Sequence, residues 1–294
     1  MSSADLTHPP VEALTTASEQ APFRQPRKPA KHRLKDIDKP VVAGWIAVFL
    51  ASIGLWALAV NQGWVNELYA ATPRQTWDKL IQLLGDPAFW ANARVTLSEC
   101  VAGWAIGSSL GLLAGLALGR WRRLAKVFDP YFTFANATPK IALAPFFILW
   151  FGVGQASKIV LAATIVFFIV QVPVQAAVST VQPDLDLVAT TMGATELQKF
   201  RKVVLPGIMA PLFGALRLAL VYSLLAVVLG EFIAARTGLG QQLITASNQF
   251  DMSTAFAVMI VLACIAVIIN SGLGAIERRL LRWQSASGGK TVVV

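Results

Sequence analysis

The stretch from Val95 to Gly119, VTLSECVAGWAIGSSLGLLAGLALG, decides the fold. It carries one charge, Glu99, and closes on Arg120, Arg122 and Arg123. A helix needs about 20 mostly apolar residues to cross the hydrocarbon core of a bilayer, and this run is long enough. Within it Gly103, Gly107, Gly111, Gly115 and Gly119 recur every fourth residue. Each such step turns the helix by about 40°, so the glycines form a slowly winding stripe. A stripe of that kind lets another backbone approach closely. The neighbour is either another span of this chain or a second chain.

Five further runs have the same character: Val41–Val60, Tyr131–Gly152, Ile159–Val181, Gly214–Ala235 and Ala255–Ile276. The fold expected is therefore all-α, a polytopic membrane protein of six transmembrane helices. Composition agrees. Of 294 residues, 55% are apolar and 14% charged, against roughly 25% charged in a soluble domain. Mean hydropathy is +0.60. A soluble chain of this makeup would expose large apolar patches. The net charge of +9 would suggest nucleic acid in a soluble protein; here basic loops on one side of a membrane explain it, and no nucleic-acid partner is expected. Cys100 and Cys264 lie in apolar runs, so no disulfide framework is expected. His8 and His32 both lie in the polar N-terminal tail, so neither a metal site nor histidine-dependent catalysis is expected in the core.

The cations orient the spans. With the N-terminus in the cytoplasm, the N-terminal tail, the loops after spans two and four, and the C-terminal tail hold 18 Lys and Arg. The opposite side holds five: Arg74, Lys79, Arg94, Lys158 and Arg236. That asymmetry follows the positive-inside rule and predicts both termini cytoplasmic. Residues 1–40, rich in proline and charge, read as a disordered tail, residues 41–283 as the membrane domain and 284–294 as a flexible tail. No apolar run begins before Val41, so no cleaved signal peptide is expected. The basic cluster before Val41 serves as a topology signal or a contact for anionic lipid.

The long outer loop is partly helical. Thr72-Pro73-Arg74-Gln75 has the capping-box pattern with proline at the first helical position. Gly85 stops that helix, and Asp86-Pro87 starts a second short one. The first helix either lies on lipid or offers a docking surface to an outer partner.

The connector between spans four and five, about residues 184–206, is long. It reads as a short helix, a turn at Gly193, and a second short helix ending before Pro206. Leu187, Val188 and Met192 form one apolar face; Leu197, Phe200, Val203 and Val204 form another. Two exposed apolar faces flanked by charge suit a helical knob seated in a groove of a partner protein.

Here the chain resembles the permease subunit of a type I ATP-binding-cassette importer, of the nitrate/sulfonate/taurine group. That family's cytoplasmic signature runs Glu-Ala-Ala, three residues, Gly, nine residues, Ile-x-Leu-Pro. Ala189, Gly193, Leu205 and Pro206 stand at matching positions, with Val203 for the isoleucine. Leu187 and Val188 depart from the Glu and the first Ala. Ala137–Pro145 with Leu149–Gly154 resembles the group's third span, and Gly214–Leu220 with Gly230–Ala234 its fifth.

The resemblance implies a bacterial inner-membrane permease that pairs with a second copy, binds two cytoplasmic cassette ATPases through the signature loop, and receives solute from an extracytoplasmic binding protein. The implied solute is a small anion such as nitrate, a sulfonate or taurine. The cassette-coupling face implied comprises Leu187, Ala189, Met192, Gly193, Leu197, Val203, Leu205 and Pro206. No Gly-x4-Gly-Lys-Ser/Thr phosphate loop occurs, so ATP is expected on the partner, and no catalytic residue or cofactor is assigned to this chain. Two cations lie inside spans, Lys140 and Arg217. Each is a candidate for the translocation path. Lys140 otherwise snorkels to the cytoplasmic interface, and Arg217 bonds loop carbonyls or an acid. Glu99 and Glu231 read as packing acids near the outer face or as gate residues. An uncoupled channel or secondary transporter would show inverted repeats or several buried ionisable groups; a membrane hydrolase would need a nucleophile with its base. Neither pattern is visible.

Overall fold

The computed structural model describes residues 39–66, 69–180 and 188–281. The expected tails, apart from Lys39 and Pro40, and Leu187 of the coupling face lie outside these residues. The chain divides into two compact units, Met1–Ser52 and Ile53–Val294. In the first, the described residues begin helix α1, Lys39–Asn61, which is uncharged from Val41 onward. Trp45, Val48 and Phe49 are exposed along it, as suits a surface facing lipid.

The second unit holds the remaining elements. Helix α2, Pro73–Leu84, starts on the Thr72–Gln75 capping box the sequence predicts, and its N–H at Gly85 closes onto Ile81 and Gln82. Helix α3 then runs unbroken over Pro87–Arg120. The separate short helix expected at Asp86-Pro87 does not exist. Asp86 caps Ala88, proline tolerates the first turn, and no breaker follows before the apolar run, so the helix continues across.

The third span is not one helix. Helix α4, Arg122–Ala137, meets a 3-10 turn at Lys140–Leu143 and α5, Ala144–Phe151, at an 84° bend. Thr138 precedes Pro139 and is extended (φ −65°, ψ 133°), because a pre-proline residue is pushed out of helical geometry. Helix α6 is Gln155–Ser179, α7 Glu196–Lys199, α8 Leu205–Ala234, α9 Leu239–Asn248 and α10 Met252–Leu280. Among the described residues five helices are long and apolar enough to cross a membrane, and counting the bent pair as one broken span gives six. Helix α9 lies in what reads from the sequence as a plain outer loop.

The glycine stripe packs against α6 of the same chain. A Cβ on Gly107 would sit 2.5 Å from the Ala163 carbonyl, and one on Gly111 2.5 Å from that of Phe167. At Gly103 and Gly119 it would meet the Cβ of Ala162 at 2.6 Å and of Val178 at 2.5 Å. Only bare backbone fits, so dispersion contacts run along the whole α3–α6 seam. Val166, Val170, Val174 and Val178 of α6, which face the seam, also pack with Ile208, Leu212, Ala215 and Ala219 of α8. A second core, Leu80, Leu83, Phe89, Leu239, Ala257 and Val258, joins α2, α3, α9 and α10.

Candidate functional site

The described part of the α6–α8 connector begins with one helical turn at 188–191. It ends as glycine-terminated helices commonly do. Gly193 has φ +75°, its N–H donates to the Thr190 carbonyl, and the Ala194 N–H reaches back to Ala189. Both carbonyls would otherwise be orphaned, and glycine takes the left-handed geometry without steric cost. Two residues later Thr195 caps α7 in a reciprocal box with Gln198. Glu196 then joins Lys199 at 2.9 Å and Arg120 at 2.6 Å, tying the connector to the end of α3. Those two cations hold the exposed Glu196 carboxyl below its ordinary range, Lys199 contributing most.

The apolar faces divide. Met192 (81%), Leu197 (66%) and Val188 (54%) are open to the surroundings. Of the second face only Leu197 is exposed as the sequence suggests: Phe200, Val203 and Val204 are half-buried. Phe200 and Val204 share a cavity wall with Leu113 and Leu116 of α3 and Val178 of α6. Small Ala189 is half-buried, and Leu205 is partly open.

Pro206 does not end a helix. Residues Phe200–Val204 form a π turn that leads straight into α8, with Pro206 in the first turn of α8. The π turn sends the Leu205 N–H to Phe200 five residues back. This shifted bonding accommodates a proline that has no N–H and whose ring would clash with a regular α carbonyl. The outcome is a continuous rod from Glu196 to Ala234.

Lys140 is bonded to its own helix end. Its Nζ donates to the Asn136 carbonyl at 2.7 Å and to Asn136 Oδ1 at 3.1 Å, capping the broken end of α4. The ammonium lies 4.6 Å from the Phe168 ring centre. Arg217 donates from Nε to Asn270 Oδ1 of α10 at 2.7 Å, so its partner is an amide rather than a loop carbonyl or an acid. The two cations therefore hold separate helix pairs and are not brought to one site.

A third feature escapes the sequence reading. Lys158, counted there with an outer loop, is buried and ion-paired to Glu99 at 2.6 Å. Beside it Glu231 accepts from Thr96 Oγ1 at 2.8 Å and from the Gly240 N–H at 2.6 Å. The Leu239 N–H donates to Thr96 Oγ1, and that of Gly238 to Asn92 Oδ1. Three N–H groups at the start of α9 are thus satisfied by side chains of α3 and α8. Gly238, at φ +123°, is forced: a Cβ would lie 2.1 Å from Glu231 Oε1. The only signal was proximity: Glu99 falls in the first turns of its expected span, and Lys158 stands one residue before the expected span Ile159–Val181, inside a helix that starts at Gln155.

Comparisons with known proteins fit this architecture. Residues 107–282 match the family described as binding-protein-dependent transport system inner membrane component. The taurine transport system permease protein of Escherichia coli (strain K12) is 28% identical over 245 residues, 82% of this chain and 88% of the relative. The riboflavin transport system permease protein of Chloroflexus aurantiacus is 29% identical over 231 residues, 79% of this chain and 86% of the relative. Among solved structures, an inward-facing methionine ABC transporter chain superposes with a TM-score of 0.58 at 21% identity, covering 66% of this chain and 98% of its own length. That likeness is one of fold. With a matched region running from the middle of the glycine stripe to the end of α10, and helices arranged as in an importer permease, the chain belongs to the binding-protein-dependent transport inner membrane components, as a multi-pass permease of the nitrate/sulfonate/taurine type of type I ABC importer.

Proposed function

We propose that this chain is the membrane half of an ATP-driven importer of a small anion. It forms the path with a second copy and is driven by two separate cassette ATPases. One observation carries the coupling: exposed apolar Leu197 stands on a rod that continues without a break into α8, and exposed Val188 and Met192 adjoin its start across the Gly193 turn. A groove on a cassette subunit would receive the knob, with Ala189 permitting close approach. Movement there would reach the membrane because the Gly193 turn is fully hydrogen-bonded and the π turn is stiffened by its own ladder. A floppy connector would dissipate it. The taurine relative supports a solute that bears a sulfonate group, and the riboflavin relative bounds how far that support extends.

In this reading both termini and the Gly193 turn face the cytoplasm, and α2 faces outward, where a solute-binding protein docks. Single cysteines at Thr195 and Gln75, in a chain lacking Cys100 and Cys264, are expected to label from opposite faces of the membrane. Labelling of both from one face overturns the orientation.

A further inference from the structure

Two polar stripes meet inside this apolar fold. Along α4, Asp129, Thr133 and Asn136 recur at helical spacing, with Lys140 four residues on, past the break. Along α6, Gln171, Gln175 and Ser179 recur every fourth residue. The structure turns the stripes toward each other, and all but Lys140 line one cavity of about 520 Å3.

We propose that this groove is a binding site for a small organic anion, the class of sulfonates and carboxylates, and forms a stage of the translocation path. The inference rests on the permease reading above and adds a location and a ligand class to it. Polar side chains are costly against hydrocarbon, so a wall of six facing one way marks a surface that meets water or a polar solute. Large apolar residues are open on the same stretch of chain: Leu149 is 79% exposed and Phe134 77%.

The charges choose the ligand. Lys140, bonded twice to Asn136 of the groove wall and lying 4.6 Å from the Phe168 ring centre, sets a positive charge beside the groove. At the foot, a second cavity of about 450 Å3 shares Gln175 and Ser179 and is lined by Arg122, Arg123 and Lys126. Against these four cations stands one carboxylate, Asp129. Gln171 spends an amide N–H on the Gln175 side-chain oxygen, which leaves the Gln175 amide donors for an oxyanion. Thr133 adds a hydroxyl, Ser179 donates its own to the Ala176 carbonyl, and Phe132 adds an apolar wall for a short carbon chain.

The test uses the full chain in nanodiscs with its cassette subunit, Cys100 and Cys264 replaced by alanine, and a cysteine at Thr133 or, separately, Gln175. Two thiol reagents of similar size are the probes, sulfonatoethyl and trimethylammonioethyl methanethiosulfonate. Each rate is divided by that reagent's rate with a free thiol. We expect the sulfonate to be favoured by roughly tenfold, Lys140→Met to remove most of that preference, and Lys140→Arg to keep it. A ratio at or below one, or a ratio unmoved by Lys140→Met, overturns the site. So does a failure of either reagent to label, which means a second copy or lipid fills the groove. The permease reading fails by a different sign: the cassette subunit does not co-purify, while the labelling ratio is still read on the chain alone.

Discussion

Lys158 and Glu99 show how one residue pair can hold a membrane fold together. Both are nearly inaccessible, at 3% and 0% exposure, so neither charge has water to turn to. Removing one partner strands the other, which costs about 3–5 kcal/mol for buried pairs, whereas removing both costs far less. Lys158→Met is therefore expected to lower thermal stability in detergent strongly. Lys158→Met combined with Glu99→Gln is expected to recover most of the loss. Equal losses for the single and double variants would show that the pair contributes packing only. The Gly230 backbone, where a Cβ would come within 2.9 Å of Lys158 Cγ, leaves room for that lysine stem and no more. This pair was not legible from charge counting, because the count assigns a lysine near a span end to the loop beside it. Depth decides such a case, and the helix α6 begins earlier, at Gln155, than the apolar run does.

At the scale of elements, the seam between α3 and α6 was half legible. The four-residue glycine spacing predicts close approach, but spacing names no partner. The partner follows from backbone contacts alone. Gly111→Ala would drive a methyl into the Phe167 carbonyl and is expected to destabilise by about 1–3 kcal/mol, as overpacking does. Gly214→Ala is the control: nothing lies within 4 Å of a Cβ there, so the helix is expected to be neutral or gain up to about 1 kcal/mol. Thermal melts of the two variants should move in opposite directions or differ widely; equal melts would remove the seam from the account. Capping signals were read with more success. Thr72 with Gln75 and the turn at Gly193 obey local rules, and local rules survive folding. Helix α9 was missed since ten residues of mixed polarity pass neither a span test nor a strong amphipathic one; its stability comes from Glu231, Thr96 and Asn92, which are distant in sequence. Pro139 restricts the residue before it, yet an 84° bend is a matter of tertiary packing.

For the whole molecule, the claim is that motion begun by ATP hydrolysis on another subunit enters through the knob at 188–197 and travels along one rod into α8. Six crossings and a signature-like connector made the family legible, because topology and a glycine-proline spacing are properties of sequence order. What the path holds was less legible, because Lys140 and Arg217 are separated by the fold and the groove needs α4 and α6 brought together. The direct measurement is ATP hydrolysis and solute uptake, side by side, in proteoliposomes holding this chain, its cassette subunit and its binding protein. Gly193→Val strains a position at φ +75°, and Ala189→Trp fills the close approach. The account predicts that each lowers uptake by about tenfold or frees hydrolysis from it, with the permease still inserted. Both variants leaving cassette binding, hydrolysis rate and uptake unchanged would contradict it.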